Sequence, residues 1–598
     1  MKKLILTLLV VLTTTVAWAV RAFPGIINVT QKDGTQLTIT QYGDANFHYN
    51  ITTDGVLLYQ EGRDYYIAHI NSNGELENTG VLAHNAGERT NEEQTLIKQQ
   101  DRKKFFTEAD KVVLKTRKRE PIATNSTLFP HIGSPKALII LADFTDQPFK
   151  HDDATTLEIF DQYLNSESGK PTHEADATLS KNYGSVKKYF TDMSFGKFTP
   201  VFDVKAVVHL SNDMAYYGPG KNDRMDLFVK EACQLAHDQG VNFAEYDANE
   251  DSYVDLVYII YAGYGQSYSG NDANTIWPKS GTGNYGSFDG KTVCRYGVHN
   301  EINYNPEITK ENFNEIPQIN GIGLFCHEFS HCMGLPDFYP TNASAQNAGN
   351  ASMEYWSVMD GGEYTNSGYY PTAYTAWERE SMGWMEIETL TDDMKGNITL
   401  ENIDKDGKAY RIYPDEKTNG NEYLILQNIQ PYGWNLALGN IWGHGMLITH
   451  VDYDAIAFSL NSNTVNNTIG HSRMTVIPAC GEYISYYKQG EGKTYTSDEY
   501  KANHRAHPYP GTKNVTEIEN FTMYDGTMNK PFYNIQETDG VITFDFLEAT
   551  TAIKAIETAD IQNTNERIYT LDGRLVNTTK DRLPKGIYII GNKKTIVR

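Results

Sequence analysis

His327-Glu328-Phe329-Ser330-His331 sets two imidazoles four residues apart, on one face of a helix, where both can meet a single ion at about 2.0–2.1 Å. Two neutral imidazoles and a carboxylate suit zinc and leave one coordination position open for water. Glu328 follows the first histidine and cannot ligate from the same direction. It can take a proton from an activated water and pass it to a leaving amine. The chemistry these types and spacings point to is metal-assisted hydrolysis of a peptide bond. Two carboxylates compete for the third ligand position: Asp337, six residues after His331, is preferred, and Glu354, returning from a later segment, is its rival.

The elements around the pattern must aim it. Ile322, Leu324, Phe325 and Phe329 give the helix an apolar body, and Gly334 before Leu335-Pro336 ends it. Glycine tolerates the left-handed turn and proline forbids continuation, so the chain can fold back and bring Asp337 to the ion. A histidine pair, a glycine three residues on and a ligand three beyond that is metzincin-type spacing, with aspartate in place of the third histidine. Downstream, Trp356-Ser357-Val358-Met359-Asp360-Gly361-Gly362 is similar to the methionine turn beneath a metzincin zinc, with Met359 as apolar floor. Tyr364 and Tyr370 follow, and a phenol there could donate to a tetrahedral oxyanion.

The strings His327–Tyr339 (HEFSHCMGLPDFY) and Trp356–Gly362 (WSVMDGG) resemble the secreted immune inhibitor A-type metallopeptidases. Supporting matches are Lys136–Phe144, Ser185–Phe198, Ala376–Trp384 and Gly445–Asp452, and the likeness covers roughly residues 30 to 547. The resemblance implies a zinc endopeptidase made as a zymogen, with His327 and His331 as ligands and Glu328 as catalytic base. Ser330 and Cys332 depart from the glycine and polar residue usual at those positions. On the helix Cys332 points about 100° away from His331, so Cys326 and Cys332 are read as packing residues.

The first residues bear on compartment. Lys2 and Lys3 precede an apolar run from Leu4 to Leu12, and Ala17-Trp18-Ala19 supplies small residues for cleavage after Ala19, the grammar of a secretory signal peptide. No later apolar stretch is long enough to span a bilayer. The formal charge of −24 argues against binding nucleic acid or anionic lipid. Five cysteines in 598 residues exclude a disulfide-stapled scaffold, and the odd count leaves at least one thiol free or paired with another chain. The cysteines at 233, 294, 326, 332 and 480 all lie outside the expected propeptide. A thiolate from that segment therefore cannot plug the zinc. Latency is expected to come from steric blockage or a carboxylate, relieved by cleavage within residues 102–125.

The fold class expected is multidomain α+β. Residues 1–19 read as signal peptide and 20–125 as a β-rich propeptide with its activation linker. That module carries hairpin turns at Asp33-Gly34, Asp54-Gly55 and Asn73-Gly74, and the linker carries the basic run from Lys115 to Arg119. Residues 126–388 read as a zincin (metzincin-like) α/β catalytic domain with buried strands at Ala137–Phe144 and Asp255–Gly263. Helices are expected after Ser185 and over Arg224–Gln239. Residues 389–548 read as an antiparallel β-sandwich, and 549–598 as a small β-module. Asp247 to Asp255 places oxygen ligands at alternate positions, as calcium loops do, but lacks the EF-hand glycine and final glutamate; Ca2+ is a structural option there. The tail, Ile568–Arg598, resembles the sorting domains of the type IX secretion system, which implies the secretion machinery as a partner. The function expected is a secreted or surface-held zinc endopeptidase acting on proteins or peptides. The alternative is an adhesion or glycan- or protein-binding surface protein with a vestigial zinc site.

Overall fold

A computed structural model describes residues 16–598, apart from 46, 118–127, 219–223, 269–271, 304–316, 415–419, 490–492, 550–566, 579 and 592. Six strands from Ile26–Thr30 to Leu76–Leu82 form a meander in which each pairs antiparallel with the next. The dipeptides expected to turn do so, and alternate residues such as Leu37, Ile39, Tyr65 and Ile67 are buried on one face. Helices Asn91–Lys98 and Arg102–Arg117 follow, the first closed by a reciprocal cap between Thr90 and Glu93. The end of the basic run, at 118 and 119, lies outside the described residues.

The central sheet holds the site. Its order is Val16–Ala19, Lys279–Thr282, Arg295–Ile302, Val257–Tyr264, Lys136–Asp143 and Val201–His209. The last four run parallel, while Lys279–Thr282 is antiparallel to both its neighbours. Parallel strands must be covered on both faces, and Lys136–Asp143 and Val257–Tyr264 meet this with near-continuous apolar runs. Ala137, Ile139 and Leu141 face the core that includes the helix Ile322–Cys332, whereas Leu138, Ile140 and Ala142 face that of the helix Met225–Asp238. Ser185 caps the helix Val186–Met193 by accepting from Lys188 N.

Beyond residue 385 two sheets share one core. The five-stranded sheet runs from Glu388–Thr389 to Met474–Val476, and the three-stranded one joins Gly396–Leu400, Val541–Phe546 and Phe532–Thr538. Leu424, Ile448, Leu400 and Phe544 meet between them. One pairing departs from the antiparallel expectation: Glu388–Thr389 runs parallel to Tyr410–Ile412. The intervening chain first crosses to the other sheet as Gly396–Leu400, which supplies the crossover that a parallel pair requires. The last fifty residues end in a four-stranded sheet, with Asp572-Gly573 turning between Ile568–Thr570 and Leu575–Val576. No helix among the described residues is long and apolar enough to cross a membrane.

Candidate active site

Every residue of the helix Ile322–Cys332 is buried, so its two imidazoles and Glu328 are delivered from inside the core. Gly334 sits at φ +111°, the conformation that favours glycine, and the chain reverses there. The reversal places the Leu335 carbonyl 2.7 Å from His331 Nδ1 and carries Asp337 back over the helix. His327 Nδ1 is held 2.8 Å from the Val358 carbonyl and 3.0 Å from Glu363 Oε2. With each Nδ1 donating, both Nε2 atoms present lone pairs to the same point.

Those two Nε2 atoms lie 3.1 Å apart, and each is 3.2 Å from Asp337 Oδ1. Tetrahedral bonds of about 2.0–2.1 Å place neighbouring ligands roughly 3.3 Å apart, so the triangle matches one face of a zinc site. Asp337 Oδ1 is buried with no hydrogen-bond partner, while Oδ2 accepts from Asn463 Nδ2 at 2.5 Å. Burial opposes ionisation of Asp337, but when the two imidazoles are protonated their charge holds its carboxyl well below the usual carboxylate range. Glu328 stands beside the triangle. Burial pushes its carboxyl well above the ordinary value, and Oε2 has no hydrogen-bond partner. A carboxylate so placed accepts a proton readily.

The turn around Met359 supports both halves of this arrangement. Val358 supplies the carbonyl on His327, and Met359 O accepts from Phe338 N, one residue after Asp337. Met359 itself is fully buried. Glu354 lies elsewhere: it accepts from the Tyr483 and Tyr500 hydroxyls and from Tyr486 N, at 2.9–3.2 Å, and pairs with Arg21.

Residues 130–385 match the catalytic domain described as immune inhibitor A peptidase M6. Over this stretch the chain is similar to the peptidase M6 family. The pre-pro-metalloprotease PrtV of Vibrio cholerae serotype O1 is 27% identical over 298 residues, 43% of this chain and 31% of that protein. Immune inhibitor A of Bacillus thuringiensis subsp. alesti is 26% identical over 258 residues, 40% of this chain and 33% of that protein. The chain thus spans about a third of the length of the curated relatives it matches. The matched family is one of peptidases and the Vibrio relative is a metalloprotease, which implies a metal, and the buried His-His-Asp triangle fits one.

Several residues in and around the M6 site gave no signal in the sequence. The N-terminal segment is the largest of these: Val16–Ala19 adds a strand to the edge Lys279–Thr282, and the chain then passes beside Glu328. Val20 N donates to Glu328 Oε1 at 2.9 Å, and Val20 O accepts from Trp277 Nε1 at 2.9 Å. Of the two candidate phenols, Tyr364 donates to the Arg21 carbonyl at 2.8 Å, whereas Tyr370 stacks on Tyr183 and donates to Gly433 O. Glu363, Trp277 and Asn463 reach the site from separate segments, and only contact in three dimensions reveals them. Cys326 and Cys332 are buried and free, and so is Cys233; Cys294 and Cys480 are free and half-buried.

In the acidic loop, Asp247 takes Lys291 Nζ at 2.6 Å, and the backbone N–H groups of Asp251 and Ser252 donate to the same carboxylate. Asp255 accepts from Ala248 N. Asp247 and Asp255 are thus engaged by backbone amides and, for Asp247, by one lysine ammonium.

Proposed function

We propose that the chain is a secreted zinc-dependent endopeptidase, made as a zymogen, that hydrolyses peptide bonds of extracellular proteins. The observation that carries this reading is the buried triangle of His327 Nε2, His331 Nε2 and Asp337 Oδ1 with Glu328 alongside. Those three side chains would hold the ion. Bound there, Zn2+ supplies Lewis acidity to the reaction. Glu328 takes a proton from the attacking water and returns it to the leaving amine. Glu363 and the Val358 carbonyl fix the tautomer of His327, and Leu335 O does the same for His331. Tyr364 and Trp277 position a substrate backbone, as they now hold the carbonyls of Arg21 and Val20.

Latency in this reading is steric. Val20 to Phe23 lie over Glu328, with Ala22 N bonded to Gly43 O of the same N-terminal module and Phe23 N to Ser267 O of the catalytic region, so the segment ties that module to the site. A cut within residues 102–125 releases the module that carries it. The signal peptide delivers the chain to the exterior, and the C-terminal sheet addresses it to an outer-membrane secretion machinery. A structural Ca2+ in the Asp247–Asp255 loop would have to displace Lys291 Nζ. The test is a Glu328→Ala chain compared with its parent on casein or gelatin after cleavage of the linker. Activity should fall by about 10²–10⁴-fold. Undiminished hydrolysis would overturn the proposal.

A further inference from the structure

The contact of Val20 N with Glu328 fixes a register. Glu328 is the group expected to protonate a leaving amine, so the N–H at 2.9 Å from its Oε1 marks where that amine would sit. Val20 is then the first residue on the amine side of the cleft and Arg21 the second. Their backbone is gripped through carbonyls, by Trp277 and Tyr364, in a way any peptide can satisfy. The selective contact is made by the Arg21 side chain.

That side chain is fully enclosed. Nη1 lies 3.1 Å from Asp360 Oδ1 and 3.7 Å from Glu354 Oε2, and all three side chains are at most 3% exposed. The guanidinium carbon stands 5.0 Å from the centre of the Tyr486 ring and 6.0 Å from that of Tyr355, in the range of cation–π attraction. Arg21 Nε and Nη2 point into the same pocket without a hydrogen-bond partner. Gly361 makes the room: a Cβ there would come within 2.1 Å of Nη2 and 2.9 Å of Cζ.

The two acids of the pocket are also held by groups other than Arg21. Glu354 is held at φ +49°, an unfavourable region for a residue with a side chain, and is fixed by Tyr483, Tyr500 and the Tyr486 amide. Asp360 Oδ2 accepts from Glu354 N at 2.8 Å, which locks the two acids together. Two acids in a dry, aromatic-walled pocket are poorly matched to anything but a cation, and the planar guanidinium suits them better than an ammonium.

We propose that this pocket is the substrate subsite for an arginine side chain two residues past the cleaved bond, and that Arg21 occupies it as a resident mimic. The inference rests on the peptidase reading above and names its substrate class: peptides with arginine at that position. Cleavage after Ala19, the expected leader site, leaves Val20 as a free amine terminus beside Glu328. The zymogen then holds its own N-terminus as an amine product is held.

The test uses the full chain with Arg21→Ala, which empties the pocket. Methylguanidinium should raise its melting temperature saturably, on the order of 1–3 °C, and leave the parent chain unmoved. Adding Asp360→Asn should abolish the rise. After cleavage within 102–125, the Arg21→Ala chain is given a peptide library. Arginine should be enriched about tenfold or more two residues past the cut, lysine less, and Asp360→Asn should erase the preference. Cleavage with no arginine preference overturns this inference and leaves the peptidase standing. No cleavage together with methylguanidinium stabilisation defeats the peptidase reading and keeps the guanidinium pocket. Should the Arg21→Ala chain not fold, Arg21→Lys, carrying a poorer cation in the same place, should fold and be displaced by an added Val-Arg-Ala peptide. Failure of that displacement overturns the pocket.

Discussion

Two buried acidic sites lie a short stretch of chain apart and differ in what their carboxylates still lack. Asp337 keeps one oxygen free of hydrogen bonds and aims it between two imidazole lone pairs. Glu354 has both oxygens engaged by tyrosine hydroxyls and a backbone amide, with Arg21 completing the set. Residue type alone made them rivals for one ion. What separates them is unfilled valence: a carboxylate oxygen without a donor is ready for a metal, while a saturated one is committed to a local cation.

Exchanging one site's role for the other would break this contrast. Asp337→Ala should abolish stoichiometric zinc binding and with it all hydrolysis, whereas Glu354→Gln should retain the ion; metal content measured side by side decides. Zinc lost only from the second variant would reverse the assignment. Glu328→Ala should keep the metal yet lose about 10²–10⁴-fold in activity, which separates holding the ion from moving the proton. At the second site, Arg21→Ala leaves Asp360 and Glu354 facing each other, buried and uncompensated. The uncut chain should lose about 3–5 kcal/mol of stability, read by denaturant titration. The smallest effect is expected for Asn463→Ala, which strips the support from Asp337 Oδ2 and should weaken metal affinity by about 10–100-fold.

The same contrast explains what the sequence disclosed. His327, Glu328, His331, Gly334 and Asp337 fall within eleven residues, and their relation follows from helix pitch and one turn. Two of the four parallel strands, Lys136–Asp143 and Val257–Tyr264, were legible as apolar runs, whereas Val201–His209 and Arg295–Ile302 carry charged residues and were not; the glycine dipeptides marked hairpins of the N-terminal module. The cation pocket was not legible. Arg21 is more than 330 residues from Glu354, and Tyr483, Tyr486 and Tyr500 come from a later sheet domain. In a chain with 40 tyrosines none of these stands out by type. Likewise, Val16–Ala19 carries the small residues of a processing site, and nothing in that composition reports that the same backbone completes a sheet edge.

Asn463 carries a consequence for how such enzymes are inherited and engineered. The recognisable family unit ends at residue 385, yet the side chain that steadies Asp337 arrives from 78 residues beyond it. Its neighbours extend the seam: Asn466 bonds the Phe338 carbonyl, and Asn467 bonds Thr341. The heritable module and the working module therefore have different borders. A gene fusion or truncation drawn at the family border would transmit the His-His-Asp triangle without the amide that steadies one of its members. Selection acting on this site must keep an asparagine loop and a histidine helix in step across one shared core.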